Sequence, residues 1–108
     1  MQGKHMEYAL YFKALSDANR IMIIDMLSHG ELCACVILAK FNITQPTLSY
    51  HMKMLCECGL VIGRKQGKWI YYSLNPELMR RLRDFLDELT AAKGDGINND
   101  YFCEGECI

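Results

Sequence analysis

Six cysteines in this chain of 108 residues offer the clearest chemistry in the sequence, because they occur as three close pairs. The pairs are Cys33 with Cys35, Cys56 with Cys58, and Cys103 with Cys107. The sequence has no apolar run long enough to span a membrane and no signal-peptide pattern, which predicts a cytoplasmic location. In a reducing cytoplasm, cysteines act as thiols or metal ligands rather than as disulfides. Because thiolates select thiophilic ions, we expect a pair to bind such an ion; the alternative is buried packing of small apolar side chains.

The first pair lies in the stretch ELCACVIL, residues 31 to 38, which has the composition of an apolar helix. Residues two apart on an ideal helix point about 200° away from each other. Both sulfur atoms therefore could not contact one ion from a regular helix. We expect the first turn of this helix to unwind or tilt when Cys33 and Cys35 bind an ion together.

The charges are distributed unevenly, although the net charge is only −1. Residues 40 to 83 carry eight basic and two acidic side chains, a balance of +6, whereas residues 84 to 108 carry one basic and seven acidic side chains, a balance of −6. A positively charged segment attracts polyanions such as nucleic acid, and a negatively charged one does not. The pattern places any DNA-binding surface in the middle of the chain.

Hydrophobic spacing and helix-capping residues predict five helices and one β-hairpin. The predicted elements are a first helix ending near Ser16, a second after Asp17 or Ser16, a third over 32–41, a fourth from Thr44 to Gly59, a hairpin around Gly67, and a last helix from Asn75 to Gly94. This order predicts a mainly α fold with a small β-hairpin, a winged helix-turn-helix. Residues 1–93 would form this domain, and residues 94–108 an acidic tail that carries cysteines.

Two polar surfaces of this fold could contact double-stranded DNA. Short polar side chains at the start of the fourth helix suit base edges and phosphates in the major groove, and the basic hairpin suits the DNA backbone or minor groove. The predicted DNA-binding residues are Gln45, Thr47, Ser49, Tyr50, His51 and Lys53 of the helix, and Arg64, Lys65, Gln66 and Lys68 of the hairpin. We expect Trp69 and Tyr71 to pack beneath the hairpin. The apolar stripes of the first and last helices predict a homodimer, which would read two half-sites.

Four stretches of the sequence resemble the ArsR/SmtB family of metal-responsive winged-helix repressors. They are FKALSDANRIMIIDML, ELCACVIL, TQPTLSYHMKMLCECGLV and RKQGKWIYYSLNP, and the resemblance extends from residue 8 to about residue 90. The resemblance implies a homodimer that occupies operator DNA until an inducing ion binds and releases it. It also implies that the protein is not an enzyme and needs no cofactor for folding.

Within that family, ELCACVIL is similar to the ELCVCDLC signature of members that sense arsenite and antimonite. Cys33 and Cys35 match its first two cysteines, but Leu38 stands at the third position. The resemblance therefore implies As(III) or Sb(III) as the inducer. Either two thiolates bind the ion, or a third comes from elsewhere, for which Cys103 and Cys107 of either protomer are the obvious donors. Relatives that sense Cd(II) or Pb(II) use cysteines of the fourth helix together with tail cysteines, so Cys56 and Cys58 form a second, less favoured candidate site.

Other functions remain open at this level. A thiol redox or persulfide sensor on the same fold would also use close cysteine pairs, because oxidation can cross-link them. A winged-helix protein-interaction module or a metal-storage protein would bind no operator, which the basic middle segment disfavours. An enzyme is not indicated, because the three histidines lie on unrelated elements and form no constellation with a cysteine and an acid.

Overall fold

The computed structural model describes residues 2–91, and it contains five helices and three short strands. In chain order these are α1 (Gln2–Ala14), α2 (Ala18–Leu27), β1 (Leu32–Cys33), α3 (Ala34–Ala39), α4 (Gln45–Glu57), β2 (Val61–Gln66), β3 (Trp69–Leu74) and α5 (Pro76–Thr90). Helices α3 and α4 form a helix-turn-helix joined by residues 40–44, and the hairpin of β2 and β3 follows as a wing. The predicted mainly α fold with a small β-hairpin is confirmed, with one additional strand.

Local capping residues determine where three of the helices begin. The Asp17 carboxylate accepts hydrogen bonds from two main-chain amides of α2, and the Thr44 hydroxyl accepts one from the amide of Thr47 in α4. The Asn75 side chain caps α5 in the same way. Such side chains replace the hydrogen bonds that the first turn of a helix cannot make internally. The C-terminal end of α5 is at Thr90, whereas the sequence predicted that this helix would extend to Gly94.

Strand β1 is the element that the sequence pattern did not reveal. The sheet has the order β1–β3–β2 and is antiparallel throughout. Leu32 pairs with Tyr72 and Cys33 pairs with Tyr71, so both residues of β1 are extended. The predicted third helix over 32–41 is therefore wrong at both ends, because the helix spans only Ala34–Ala39. Two residues are too few to show an alternating pattern of apolar and polar side chains.

The core lies between the helices and the inner face of the sheet. Ile23, Ile37, Leu55 and Leu60 are the largest fully buried side chains. The predicted buried stripe of the fourth helix is confirmed, since Leu48, Met52 and Leu55 are at most 3% exposed. The recognition-helix candidate α4 thus rests on the core with one face and presents the other to solvent. None of the helices described is long and apolar enough to cross a membrane.

Candidate metal site and nucleic-acid interface

The thiol groups of Cys33 and Cys35 lie side by side on the surface. Cys33 is the N-cap of α3 with φ −68° and ψ 146°, so it precedes the helix and has the extended geometry of β1. Its sulfur lies 2.8 Å from the sulfur of Cys35. The expectation that a regular helix would hold the two sulfurs apart is therefore wrong. The reason is that only Cys35 belongs to the helix, whereas Cys33 belongs to the strand before it.

Hydrogen bonding within this pair makes the two thiols unequal. The Cys35 thiol, and then its main-chain amide, stabilise a thiolate on Cys33 and lower the pKa of Cys33. The pKa of Cys35 is raised, first by the same hydrogen bond to Cys33 and then by desolvation. The thiolate is the form of cysteine that binds metals. Cys33 is therefore the thiol of the pair that ionises first and the natural first ligand of an incoming ion.

The thiol pair opens into a cleft of about 360 Å³ between α3, α4 and β3. Cys33 and Cys35 lie on its wall together with Gln45 and Ser49 of α4 and Trp69 of β3. An ion held by the pair would thus lie between the supporting helix, the candidate recognition helix and the base of the wing. The cleft brings the predicted metal ligands and part of the predicted DNA-binding surface into one place.

The cysteines near the end of α4 do not form a comparable pair. Cys56 lines a cleft with the wing residues Gly63 and Arg64, whereas Cys58 lines a different cleft against Leu10 of α1. Burial, and then the neighbouring Cys58, raises the pKa of Cys56. Within residues 2–91, no group of three or more His, Cys, Asp or Glu side chains is gathered as a metal site. Cys103 and Cys107 lie outside the described residues.

The exposed face of α4 carries five of the ten predicted DNA-binding residues. Every candidate on α4 except His51 is exposed: Gln45, Thr47, Ser49, Tyr50 and Lys53. His51 is only 5% exposed, so it cannot reach DNA from this position. The prediction for His51 was wrong because helical spacing alone places it near the exposed face, whereas a neighbouring helix covers it.

The residue that covers His51 is Arg20 of α2, which is itself buried. The Arg20 Nε donates a hydrogen bond of 2.6 Å to the carbonyl of Ala14, and its Nη1 lies 3.1 Å from Nδ1 of His51. Arginine can only donate, so Nδ1 of His51 accepts and the ring proton lies on Nε2. Local sequence patterns give no sign of this interaction, because the two residues are 31 positions apart. Arg20 connects the end of α1 and helix α2 to the middle of α4.

The wing presents all four of its predicted DNA-binding residues to solvent: Arg64, Lys65, Gln66 and Lys68. Trp69, which was expected to pack beneath the wing, is 48% exposed, and the ammonium of Lys68 lies 5.5 Å from the centre of its ring. Tyr71 is half-buried and lies under the guanidinium of Arg64. The expectation for Trp69 was wrong because the chain turns tightly at Gly67, which leaves Trp69 at the tip of the hairpin rather than against the core.

Helices α1 and α5 pack together and leave an apolar surface uncovered. Tyr8 and Phe85 stack with ring centres 4.3 Å apart, and Arg81 forms an ion pair of 2.7 Å with Glu7. Five large apolar side chains remain more than a third exposed on these two helices: Met6, Leu10, Phe12, Leu86 and Leu89. Large apolar side chains left exposed on two packed helices commonly mark a protein interface.

A helix-turn-helix with an exposed polar helix and a basic wing defines the chain as a winged helix-turn-helix regulator, a class that binds DNA. Residues 17–62 match the family described as bacterial regulatory protein, arsR family. The arsenical resistance operon repressor of Staphylococcus xylosus is 43% identical over 102 residues, which cover 94% of this chain and 96% of that protein. The chain therefore belongs to the ArsR family, whose members are transcriptional regulators rather than enzymes.

Two solved structures show the same fold. The ArsR-like transcriptional regulator from Rhodococcus sp. RHA1 superposes with a TM-score of 0.72 at 26% identity, covering 81% of this chain and 82% of that one. A winged helix-turn-helix domain from Mycobacterium bovis, described as homodimeric and as a possible ArsR-family regulator, superposes with a TM-score of 0.69 at 27% identity and covers 82% of each chain.

Proposed function

We propose that the protein is a transcriptional repressor that binds operator DNA as a homodimer and is released by a thiophilic ion, As(III) or Sb(III). The observation that carries this proposal is the Cys33–Cys35 pair, whose sulfurs lie 2.8 Å apart at the edge of a cleft beside α4. The similarity to arsenical resistance operon repressors supports the choice of ion. Residues 1–93 would be the DNA-binding and dimerisation domain of this cytoplasmic repressor.

The ion would change the thiol pair only slightly. With the zinc–thiolate bond of about 2.3 Å as a scale, two sulfurs on one tetrahedral ion lie about 3.8 Å apart. The sulfurs of Cys33 and Cys35 would therefore separate by about 1 Å. Because Cys33 belongs to the two-residue strand β1, part of this movement would pass to the strand. The unwinding or tilting of the first turn of α3 that the sequence suggested is not needed, because Cys33 already lies outside the helix.

We assign the third thiolate to Cys103 or Cys107 of the acidic tail. A trivalent arsenic or antimony centre forms three bonds to sulfur, and residues 2–91 bring only two thiols together at this cleft. A tail ligand would also draw negative charge towards α4 and the wing. Residues 94 to 108 carry four acidic side chains and no basic one, a balance of −4, so they would oppose the approach of DNA phosphates.

DNA binding is assigned to the exposed residues of α4 and the wing. Gln45, Thr47 and Ser49 are placed to reach base edges in the major groove, and the wing cations to contact phosphates. The exposed apolar side chains of α1 and α5 would be buried in a two-fold interface, which would place two copies of α4 on successive major grooves. His51 is omitted from this surface, because it supports α4 from within.

The test is fluorescence anisotropy of the reduced protein on a labelled operator duplex selected from a random-sequence pool. As(III), Sb(III), Cd(II), Pb(II) and Zn(II) would each be titrated into the complex. We expect release by As(III) or Sb(III), and loss of release in the Cys33→Ser/Cys35→Ser variant. Loss of release in Cys103→Ser/Cys107→Ser would identify the tail as the source of the third ligand.

Other outcomes would contradict the proposal in distinct ways. Release by Cd(II) or Pb(II) alone would place sensing at Cys56 or Cys58 with the tail. Release by peroxide or polysulfide, without any response to stoichiometric ions, would make the protein a thiol redox or persulfide sensor. No salt-dependent DNA binding at all would refute a repressor function, because phosphate contacts make operator affinity fall with salt.

A further inference from the structure

An ion pair links the segment before the thiol pair to the wing. Glu31 lies two residues before Cys33, and its carboxylate accepts two hydrogen bonds from Arg64, from Nε at 3.1 Å and from Nη2 at 2.8 Å. The remaining Nη1 of Arg64 donates to Oε1 of Gln66 at 2.7 Å. The guanidinium lies 4.8 Å from the centre of the Tyr71 ring. Arg64 is therefore held on three sides by neighbouring groups.

The sheet connects the same residues through its backbone. Cys33 of β1 pairs with Tyr71 of β3, and Tyr71 pairs with Arg64 of β2. Residues directly opposite on neighbouring strands project from the same face of a sheet. Cys33 and Arg64 thus stand in one row, two strand spacings or about 10 Å apart, with Tyr71 between them.

This arrangement is poorly explained as a contribution to stability alone. The side chains of Arg64 and Glu31 are 48% and 38% exposed, and exposed ion pairs contribute little to folding. A bidentate pair does, however, fix the orientation of an arginine. The Arg64–Glu31 pair should therefore affect the position of the wing more than the stability of the fold.

We propose that Glu31 is a positioning residue that transmits the state of the thiol pair to the wing through Arg64. The inference rests on the proposed function, since it concerns how ion binding at Cys33 and Cys35 weakens operator affinity. Movement of Cys33 towards an ion displaces β1 and, with it, Glu31. Arg64 then loses its bidentate partner, and the wing loses the geometry in which it contacts DNA. Glu31 therefore couples operator binding to ion binding, although it contacts neither the operator nor the ion.

The test measures the coupling ratio, which is the operator dissociation constant with saturating As(III) divided by that without it. The ratio is independent of the baseline affinity, so it separates coupling from the general effect of removing a negative charge near DNA. We expect Glu31→Gln to reduce the ratio by about 2- to 30-fold, the range found when a coupling residue is changed. Arg64→Lys keeps the charge but loses the bidentate geometry, and it should reduce the ratio similarly.

The matched control is Glu57→Gln, which also removes one exposed carboxylate near the DNA-binding surface. Within residues 2–91, Glu57 forms an ion pair only with Lys53, at 4.0 Å and on the same helix. The coupling ratio of this variant should therefore equal that of the wild type. The double variant Glu31→Gln/Arg64→Lys should lose no more coupling than either single variant, because the two residues act as one unit. Arsenic–thiolate absorbance would verify that every variant still binds As(III), and thermal melting would verify that each is folded.

The possible failures are distinguishable. A coupling ratio for Glu31→Gln within twofold of wild type, with As(III) still bound, would overturn the role of Glu31 while leaving the repressor function intact. A wild-type protein that As(III) binds but does not release from DNA would overturn both. Release that persists in Cys33→Ser/Cys35→Ser would move the inducer site elsewhere and would likewise remove the basis of this coupling.

Discussion

The buried arginine of α2 provides the most demanding test of how the recognition helix is supported. Arg20 is 7% exposed, and it donates to the Ala14 carbonyl and to Nδ1 of His51. We predict that Arg20→Met destabilises the protein markedly although methionine fills a similar volume. The reason is that both acceptors remain buried after the substitution and lose their donor.

The magnitude follows from those two acceptors. A buried polar group left without its partner costs about 1–3 kcal/mol. Two such groups give a loss of about 2–6 kcal/mol in the free energy of unfolding. A domain of this size has about 5–15 kcal/mol in total, so the change is a large share of its stability. For a small domain, the loss corresponds to a melting temperature lower by about 10–30 °C.

Urea denaturation followed by circular dichroism would measure the loss, with wild type and variant at one protein concentration because a dimer unfolds in a concentration-dependent way. Arg80→Met is the matched control. The Arg80 side chain is 53% exposed, and among the described residues it forms an ion pair only with Glu77, at 3.6 Å. We therefore expect a change of less than about 0.5 kcal/mol.

The double variant Arg20→Met/His51→Leu sharpens the test. It replaces one of the unpaired acceptors with an apolar side chain, so it should be less destabilised than the sum of the two single variants by about 1–2 kcal/mol. A stability of Arg20→Met within about 0.5 kcal/mol of wild type would refute the reasoning. Additive single effects would show that Arg20 and His51 do not interact energetically.

Three further predictions concern other parts of the molecule. Gly59→Ala should cost about 1–3 kcal/mol in chemical denaturation, because Gly59 has φ +90° and an added Cβ would lie 2.9 Å from Leu78 Cδ1; wild-type stability would contradict this. Burial, and then the hydrogen bond to Glu7, raise the pKa of Tyr11 to about 12, so stability should fall as pH rises from about 10 to about 12. Tyr11→Phe should reduce this dependence, and an unchanged pH profile would contradict the assignment. Trp69, the single tryptophan, lines the cleft of the thiol pair, so As(III) should change its fluorescence unless the pair is removed.

Much of the fold could be predicted because the relevant signals are local. Asp17, Thr44 and Asn75 are caps that act on amides two or three residues away, and the turn at Gly67 needs a positive φ that glycine supplies without cost. The stripe of Leu48, Met52 and Leu55 follows from helical periodicity alone, so these features required no knowledge of the rest of the chain.

The candidate site could be predicted only in part. The residue types of the thiol pair and the charge of the wing were evident, since thiolates and cations carry their chemistry wherever they lie. Their environment was not evident. The sequence pattern placed Cys33 inside a helix and His51 on an exposed face, and each error arose where a distant segment overrides the local pattern.

The sequence by itself determined the helix boundaries set by capping residues, the amphipathic faces, the soft-ligand chemistry of the cysteines and the basic middle segment. The tertiary structure decided what those residues contact. Pairing of β1 with β3 holds Cys33 extended so that its sulfur meets that of Cys35, and the packing of α2 on α4 buries His51 against Arg20. Glu31 reaches Arg64 across 33 residues for the same reason. Contacts between distant segments depend on how the elements pack in three dimensions, and no local spacing in the chain encodes that packing.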